Sequence, residues 1–216
     1  MTALTPEILL TAYSHGIFPM AESQDDPEIF WLDPERRGIF PLDDFHLSRT
    51  MRKVVRKNPY HITVDTNFRQ VMKACAMPAK DRENTWINRT ILDLYTELHE
   101  QGHAHSVEVW RDKKLVGGLY GVSFNAVFCG ESMFSIESNT SKLALTYLVA
   151  RLKAGGFRLL DTQFLTDHLA SLGAVEISRE EYHRRLDQAI GFEGDFYSLA
   201  SDASSEEIIQ SITQTS

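Results

Sequence analysis

Three polar side chains at the ends of apolar stretches carry the chemistry this sequence offers. Glu131 follows Gly130 in AVFCGESMF, and Asp161 and Gln163 stand two apart in FRLLDTQF. Residues two apart in a strand face the same side, so an ionised Asp161 can accept from a neighbouring amide and fix which end of Gln163 points outward. A glutamine amide is essentially unprotonated in water, so Gln163 would orient and polarise a nucleophile instead of taking a full proton. Glu131 reads similarly, because Gly in a strand marks a bulge or a close approach by another backbone or a ligand. Against this stands a structural reading, in which polar residues close the ends of apolar elements and cap the next element. Spacing alone leaves both open.

The elements that would position these groups are legible in outline. Thr5-Pro6-Glu7 starts a helix that Gly16 ends. The stretch FPMAESQDDPEIFWLDPERRGIFP suits an irregular segment or short strands, with a boundary near Arg37. HLSRTMRKVVRKNPY is helical, with Ser48 as its cap and Pro59 as its stop, and YHITVDT alternates as a strand. Two helical segments, NFRQVMKACA and TWINRTILDLYTELHEQG, precede HSVEVWR, KLVGGLYGVSF and AVFCGESMF, whose separators DKK and Asn125 punctuate an antiparallel meander. In SKLALTYLVARLKAGGF, Leu145, Leu148, Val149 and Leu152 recur at helical spacing while other apolar residues fill the remaining faces, which predicts a buried helix ended by Gly155 and Gly156. FRLLDTQF, a short helix, AVEIS and the helix REEYHRRLDQAI come next. The expected fold is α+β with a mostly antiparallel sheet: a small N-terminal domain over 1–37, a main domain over 38–195, and a flexible tail over 196–216.

With 43% apolar and 24% charged residues in a chain of 216, the composition excludes disordered and fibrous classes. A formal charge of −8 repels nucleic acid on average, so such a partner needs a local basic patch. Arg49, Arg52, Lys53, Arg56 and Lys57 supply one at three- and four-residue steps, and Arg36 and Arg37 can extend it. That stripe reads equally well as a solvated helix face and as a phosphate-binding surface. Cys75 and Cys129 lack the spacing of a zinc site and read as buried small hydrophobes in a reducing compartment. His103 and His105 lack a third ligand, so no metal is expected. GxSxG, Walker and HExxH motifs are all missing. Without a basic n-region or a long apolar run, the chain is expected to be soluble and cytoplasmic, with no membrane contact.

Taken together, SHGIFPMAE, WLDPERRGIFPL, TWIN, HSVEVW, GGLYGVSFNAVFCGESMFS, SKLALTYLVARLKAGGFRLLDTQF and HLASLGAVEISREEY closely resemble the bacterial leucyl/phenylalanyl-tRNA–protein transferase family, from about Leu4 to Leu186. The resemblance implies a GNAT-like acyltransferase domain. The implied reaction moves Leu or Phe from Leu-tRNA or Phe-tRNA to the α-amino group of proteins with N-terminal Arg or Lys, marking them for degradation by the N-degron pathway. It further implies Asp161 and Gln163 as the catalytic pair and Glu131 as the group that positions the incoming N-terminus. Trp31 and Trp86 match the adenosine and acceptor site, and Leu119, Phe128, Met133, Leu145, Leu152 and Leu160 the aminoacyl pocket. No cofactor is expected: where acetyltransferases of that fold place a Gly-rich pyrophosphate loop, this chain has SIESNTSK. A monomer is expected. Phe30 stands where members often have a second Trp, and Thr162 where many have Cys. Two rival readings are an acyl-CoA N-acyltransferase, told apart by acetyl-CoA binding, and a non-catalytic binder of protein N-termini, which would leave charged tRNA unconsumed.

Overall fold

A computed structural model describes residues 4–26, 28–78 and 85–213. The elements in chain order are α1 (Pro6–Ser14), β1 (Phe18–Met20), β2 (Phe30–Leu32), β3 (Arg36–Phe40), α2 (Arg49–Lys57), β4 (His61–Val64), α3 (Phe68–Ala76) and α4 (Arg89–Glu100). After them come β5 (Ala104–Arg111), β6 (Lys114–Phe124), β7 (Val127–Ser135), α5 (Thr140–Ala154), β8 (Leu159–Gln163), α6 (Asp167–Ala170), β9 (Val175–Ser178), α7 (Arg179–Ile190) and α8 (Ser205–Thr213).

Local chemistry sets several of these boundaries. The Thr5 hydroxyl accepts from the Ile8 amide with Pro6 in the first turn, and Ser48 caps α2 in the same way. Asp112 and Lys113 both take positive φ, the requirement of a two-residue hairpin turn, and so join β5 to β6. Gly117 permits a close approach: a Cβ there would lie 2.4 Å from the Thr140 side chain, so α5 can start directly against β6.

Seven strands form one mixed sheet in the order β4-β5-β6-β7-β8-β3-β9, and β1 and β2 form a separate antiparallel pair. Every neighbouring pair in the large sheet is antiparallel except β7 and β8, whose connection is the buried helix α5. Side chains alternate across this sheet. Val127, Cys129 and Leu159 join a core with Leu9 and Tyr13 of α1, residues of α3 and α4, and Tyr182 and Leu186 of α7. Phe128 and Leu160 join the opposite core with Met51 and Val55 of α2, the apolar residues of α5, and Ile208, Ile209 and Ile212 of α8. The chain is thus α+β with helices on both sheet faces.

Two features depart from the sequence reading. Residues 205–213 form a helix and not a loose tail; Ile208, Ile209 and Ile212 lie on its inner face, and burying each is worth about 1.5–3 kcal/mol, enough to order an otherwise Ser- and Glu-rich segment. The boundary expected near Arg37 falls inside β3, which inserts between β8 and β9. Among the described residues no helix is long and apolar enough to cross a membrane.

Candidate active site

The parallel strands β7 and β8 pair at Val127/Leu159, Phe128/Leu160 and Cys129/Asp161, and there the pairing stops. Beyond it β7 continues against β6 and β8 against β3, so a cleft opens between them. Both strands bulge at this point. On β7, Gly130 faces Gly121 and Ser132 faces Tyr120, leaving Glu131 as the extra residue. On β8, Asp161 faces Ile39 and Gln163 faces Gly38, leaving Thr162 extra. A bulge breaks the alternation of a strand and re-aims a side chain, which is how Glu131 and Gln163 come to face one cleft. Gln163 takes a φ of 57°, the left-handed region a non-Gly residue enters only when held there.

Asp161 does the holding, by a route other than the one expected from spacing. Its Oδ1 accepts from the Gln163 main-chain N–H at 2.9 Å, not from the side-chain amide. The Asp161 carboxylate is fully buried and meets the buried guanidinium of Arg37 as a fork, Nε to Oδ1 at 2.9 Å and Nη2 to Oδ2 at 2.7 Å. Tyr182 donates to Oδ2 at 3.2 Å. Arg37 Nη1 donates to the Gly16 carbonyl at 2.9 Å, and the guanidinium lies 4.5 Å from the Phe18 ring centre and 4.2 Å from that of Tyr182. Burial works against the Arg37 charge and Asp161 more than offsets it, so its pKa lies above the ordinary value. The sequence had grouped Arg37 with a surface stripe; the structure takes it out of that stripe entirely.

The Gln163 side chain settles with its amide nitrogen donating to Gly130 O at 2.9 Å and Thr162 O at 3.1 Å, which turns its oxygen toward Glu131. The amide approaches Glu131 Oε1 to 3.4 Å. Glu131 Oε1 accepts from the Tyr13 hydroxyl at 2.7 Å, and Oε2 lies 3.4 Å from the Tyr95 hydroxyl; the two tyrosine hydroxyls are hydrogen-bonded to each other. Burial raises the Glu131 pKa, the bond from Tyr13 pulls the other way, and the Asp161 charge adds to the rise; the carboxyl ends up at about 8. A carboxyl that keeps its proton at neutral pH is compatible with an amide oxygen facing it. Burial, with the Glu131 charge next, drives both tyrosine hydroxyls well above their usual range, so they remain donors.

Two cavities of about 200 Å³ each meet here, sharing Glu131, Thr162, Thr166 and Leu169. The first is mainly apolar and brings together four of the expected pocket residues, Leu119, Met133, Leu145 and Leu160, with Phe40 and Leu148 beside them. Phe128 and Leu152, also expected, do not line it: both are fully buried behind the wall, Phe128 stacked on Phe196 at 5.7 Å. The second is lined by Trp86, Phe18, Pro19, Met20, Gln163 and Phe164. Trp31 is not part of that lining. It sits opposite Pro19 on β2 and is 39% exposed.

The α2 cations are accessible: Arg49, Lys53, Arg56 and Lys57 are exposed and Arg52 half-buried, while Met51 and Val55 anchor the opposite side. Arg56 pairs with Glu206 of α8 at 3.0 Å. The histidines are used internally; His105 contacts Asp65 at 2.8 Å and Ser123 at 3.0 Å beneath the Phe196 ring, and His103 approaches the Ser123 carbonyl at 3.4 Å. Tyr13, Tyr95 and Arg37 are the residues that sequence reasoning missed. A signal existed for each. A tyrosine on an apolar helical stripe must find a partner for its hydroxyl, and an arginine leading the apolar run Gly38-Ile39-Phe40 must find a carboxylate.

Comparison with known proteins gives a consistent family. The family model described as leucyl/phenylalanyl-tRNA protein transferase matches residues 39–187, and the model of that family's N-terminal domain matches residues 2–35. A Maricaulis maris protein named leucyl/phenylalanyl-tRNA–protein transferase is 54% identical over 216 residues, covering 100% of both chains. Its namesake from Rhodospirillum rubrum is 56% identical over 91% of this chain and 92% of its own, and that from a Ruegeria species 56% over 99% of each. A solved structure titled "The structure of L-PGS from Bacillus licheniformis" aligns with a TM-score of 0.38 and 14% identity over 76% of this chain and 55% of that one, a likeness too distant to bear on fold or function. With matched segments spanning both ends of the cleft, this chain belongs to the leucyl/phenylalanyl-tRNA protein transferase family.

Proposed function

We propose that this protein transfers leucine or phenylalanine from Leu-tRNA or Phe-tRNA to the α-amino group of proteins with N-terminal Arg or Lys, marking them for degradation. The observation that carries this reading is the meeting of the two cavities at Glu131, with Gln163 in the wall of the second. A dry cavity of about 150 Å³ suffices for a benzene ring, so the first cavity, at about 200 Å³, has room for a leucyl or phenylalanyl side chain. Trp86 and Phe164 give the second a surface on which the terminal adenosine stacks. Family membership brings the two substrates together.

The chemistry asks for positioning more than for acid or base strength. An aminoacyl ester is already activated, and an α-amine with a pKa near 8 is partly neutral at pH 7. Its nitrogen attacks the ester carbonyl carbon, the new C–N bond replaces the C–O bond to the ribose, and the proton shed by nitrogen ends on the departing ribose oxygen. Gln163, acting through its amide oxygen, accepts an N–H of the incoming amine and aims its lone pair. Glu131, once ionised, receives the cationic side chain of the Arg or Lys. The cations of α2, Arg49, Arg52, Lys53, Arg56 and Lys57, hold tRNA phosphates, which reconciles the negative net charge with a polyanionic substrate.

The parting of β7 and β8 around α5 supports the GNAT-like assignment. The segment SIESNTSK at the start of α5 has no glycine to let backbone amides cradle a pyrophosphate, which argues against coenzyme A. A charged-tRNA donor places the reaction in the cytoplasm. The protein is read as acting as a monomer. The test is transfer of labelled Phe from Phe-tRNA to an Arg- or Lys-initiated peptide. Peptide binding that leaves Phe-tRNA intact, or acetylation of the peptide by acetyl-CoA, would overturn the reading.

A further inference from the structure

We propose that Arg37 is a positioning residue for transfer, one that couples the wall of the adenosine cavity to the main-chain conformation of Gln163. The activity part of this inference rests on the function proposed above. Arg37 lines neither cavity and is buried, so it acts on the site through other groups. It reaches both halves of the site. Through Nε and Nη2 it fixes both oxygens of Asp161, and Asp161 Oδ1 in turn takes the Gln163 N–H two residues on, at 2.9 Å. That bond closes the turn in which Gln163 is held at a φ of 57°. Through Nη1 it holds the Gly16 carbonyl at 2.9 Å, at the entry to β1. Its flat face lies against Phe18 at 4.5 Å, and Phe18 packs edge-on against Phe164 at 5.6 Å; both rings line the adenosine cavity.

The geometry needs a fork. A guanidinium presents N–H groups in one plane in three directions at once, whereas a lysine ammonium at the same place can satisfy one oxygen well and has no planar face to set between Phe18 and Tyr182. Removing the cation altogether leaves Asp161 as a buried, unpaired carboxylate, and the Gln163 turn loses a fixed anchor.

The experiment compares the full-length wild type with Arg37→Lys and Arg37→Met in two readouts. The first is the backbone amide of Gln163 by NMR, its chemical shift and its hydrogen exchange, with the Leu148 amide inside α5 as internal reference. The second is transfer of Phe to an Arg-initiated peptide, from Phe-tRNA and from a minimal phenylalanyl-adenosine donor. In folded Arg37→Met the Gln163 amide should shift and exchange at least about tenfold faster while Leu148 is unmoved, and kcat should fall about 100-fold, the scale of loss that a misplacement of about 1 Å brings. The KM for the minimal donor should rise about tenfold and that for the peptide stay within about threefold. Arg37→Lys should recover only part of both, remaining about tenfold below wild type in kcat, and it carries the test alone if Arg37→Met does not fold. An unchanged Gln163 amide in a folded variant, or full-rate transfer by either variant, overturns the proposal. A wild type that transfers from neither donor sinks the functional reading instead, and the Gln163 amide still decides the role of Arg37.

Discussion

An Arg-initiated peptide should bind this protein more tightly as the pH rises from 6 to 7.5, and Glu131→Gln should remove that dependence. Burial, opposed by the bond from Tyr13, pushes the Glu131 carboxyl up to about 8. About one carboxyl in a hundred is then ionised at pH 6 and about one in ten at pH 7. A cationic side chain binds the ionised form, so discharging the proton costs roughly 3 kcal/mol at pH 6 and roughly half that at pH 7. The wild-type affinity should therefore rise roughly tenfold across that unit and level off above pH 8. Titration calorimetry in two buffers of different ionisation enthalpy counts the protons: about 0.9 released per peptide at pH 7 for the wild type and close to none for Glu131→Gln. Stopping at pH 7.5 keeps most of the peptide's own α-amine protonated. The same displaced carboxyl has a sign in stability. Its folded value of about 8 lies above the ordinary 4.5, so the native state binds the extra proton between those values and stability falls as pH rises through that window. A wild-type peptide affinity that is flat from pH 6 to 7.5 would refute the reasoning.

Asp161→Ala and Gln163→Ala should each cut transfer severely in a folded protein, and because one anchors the other the double variant should lose little more than the worse single; multiplicative losses in single-turnover rates would break the unit. Arg52→Gln together with Lys53→Gln should flatten the log–log salt dependence of Phe-tRNA binding by about 1.8 while leaving a minimal aminoacyl-adenosine donor untouched, and equal losses with both donors would reassign the α2 face to folding. Thr162→Val should raise thermal stability by about 1 kcal/mol, because the Thr162 hydroxyl is buried without a hydrogen-bond partner among the described residues; a lowered melting temperature would show that the hydroxyl finds a partner in solution.

Periodicity exposed the elements that bury apolar stripes, and it placed the meander, α5 and β8 where they are. It could not expose the bulges. Counting by twos put Asp161 and Gln163 on one face, yet the extra residue Thr162 and the left-handed Gln163 reorganise that strand end, and the bond that links the pair runs to the main chain. The pocket residues divided for a related reason. Leu145 and Leu152 share one face of α5, but a cavity is a local failure of packing, and helical spacing says which side faces the sheet without saying how far along it the packing fails. Composition misled at the C-terminus, where Ser and Glu outnumber the three isoleucines that order α8. Arg37 was hidden by its neighbours: beside Arg36, which is solvent-exposed and pairs with Glu176, it looks like one of two surface cations, and only the strand's alternation separates them.

The insertion of β3 between β8 and β9 has a consequence for how the chain is made. On the ribosome Arg37 emerges 124 residues before Asp161, the partner it grips. At roughly 5–20 residues per second, β3 waits about 6–25 s before its neighbour exists. During that interval an apolar strand with both edges unpaired is open to neighbouring nascent chains. The sheet closes only when the C-terminal half arrives to flank it. A chain released before β8 lacks its glutamine and also leaves β3 with no strand on either side.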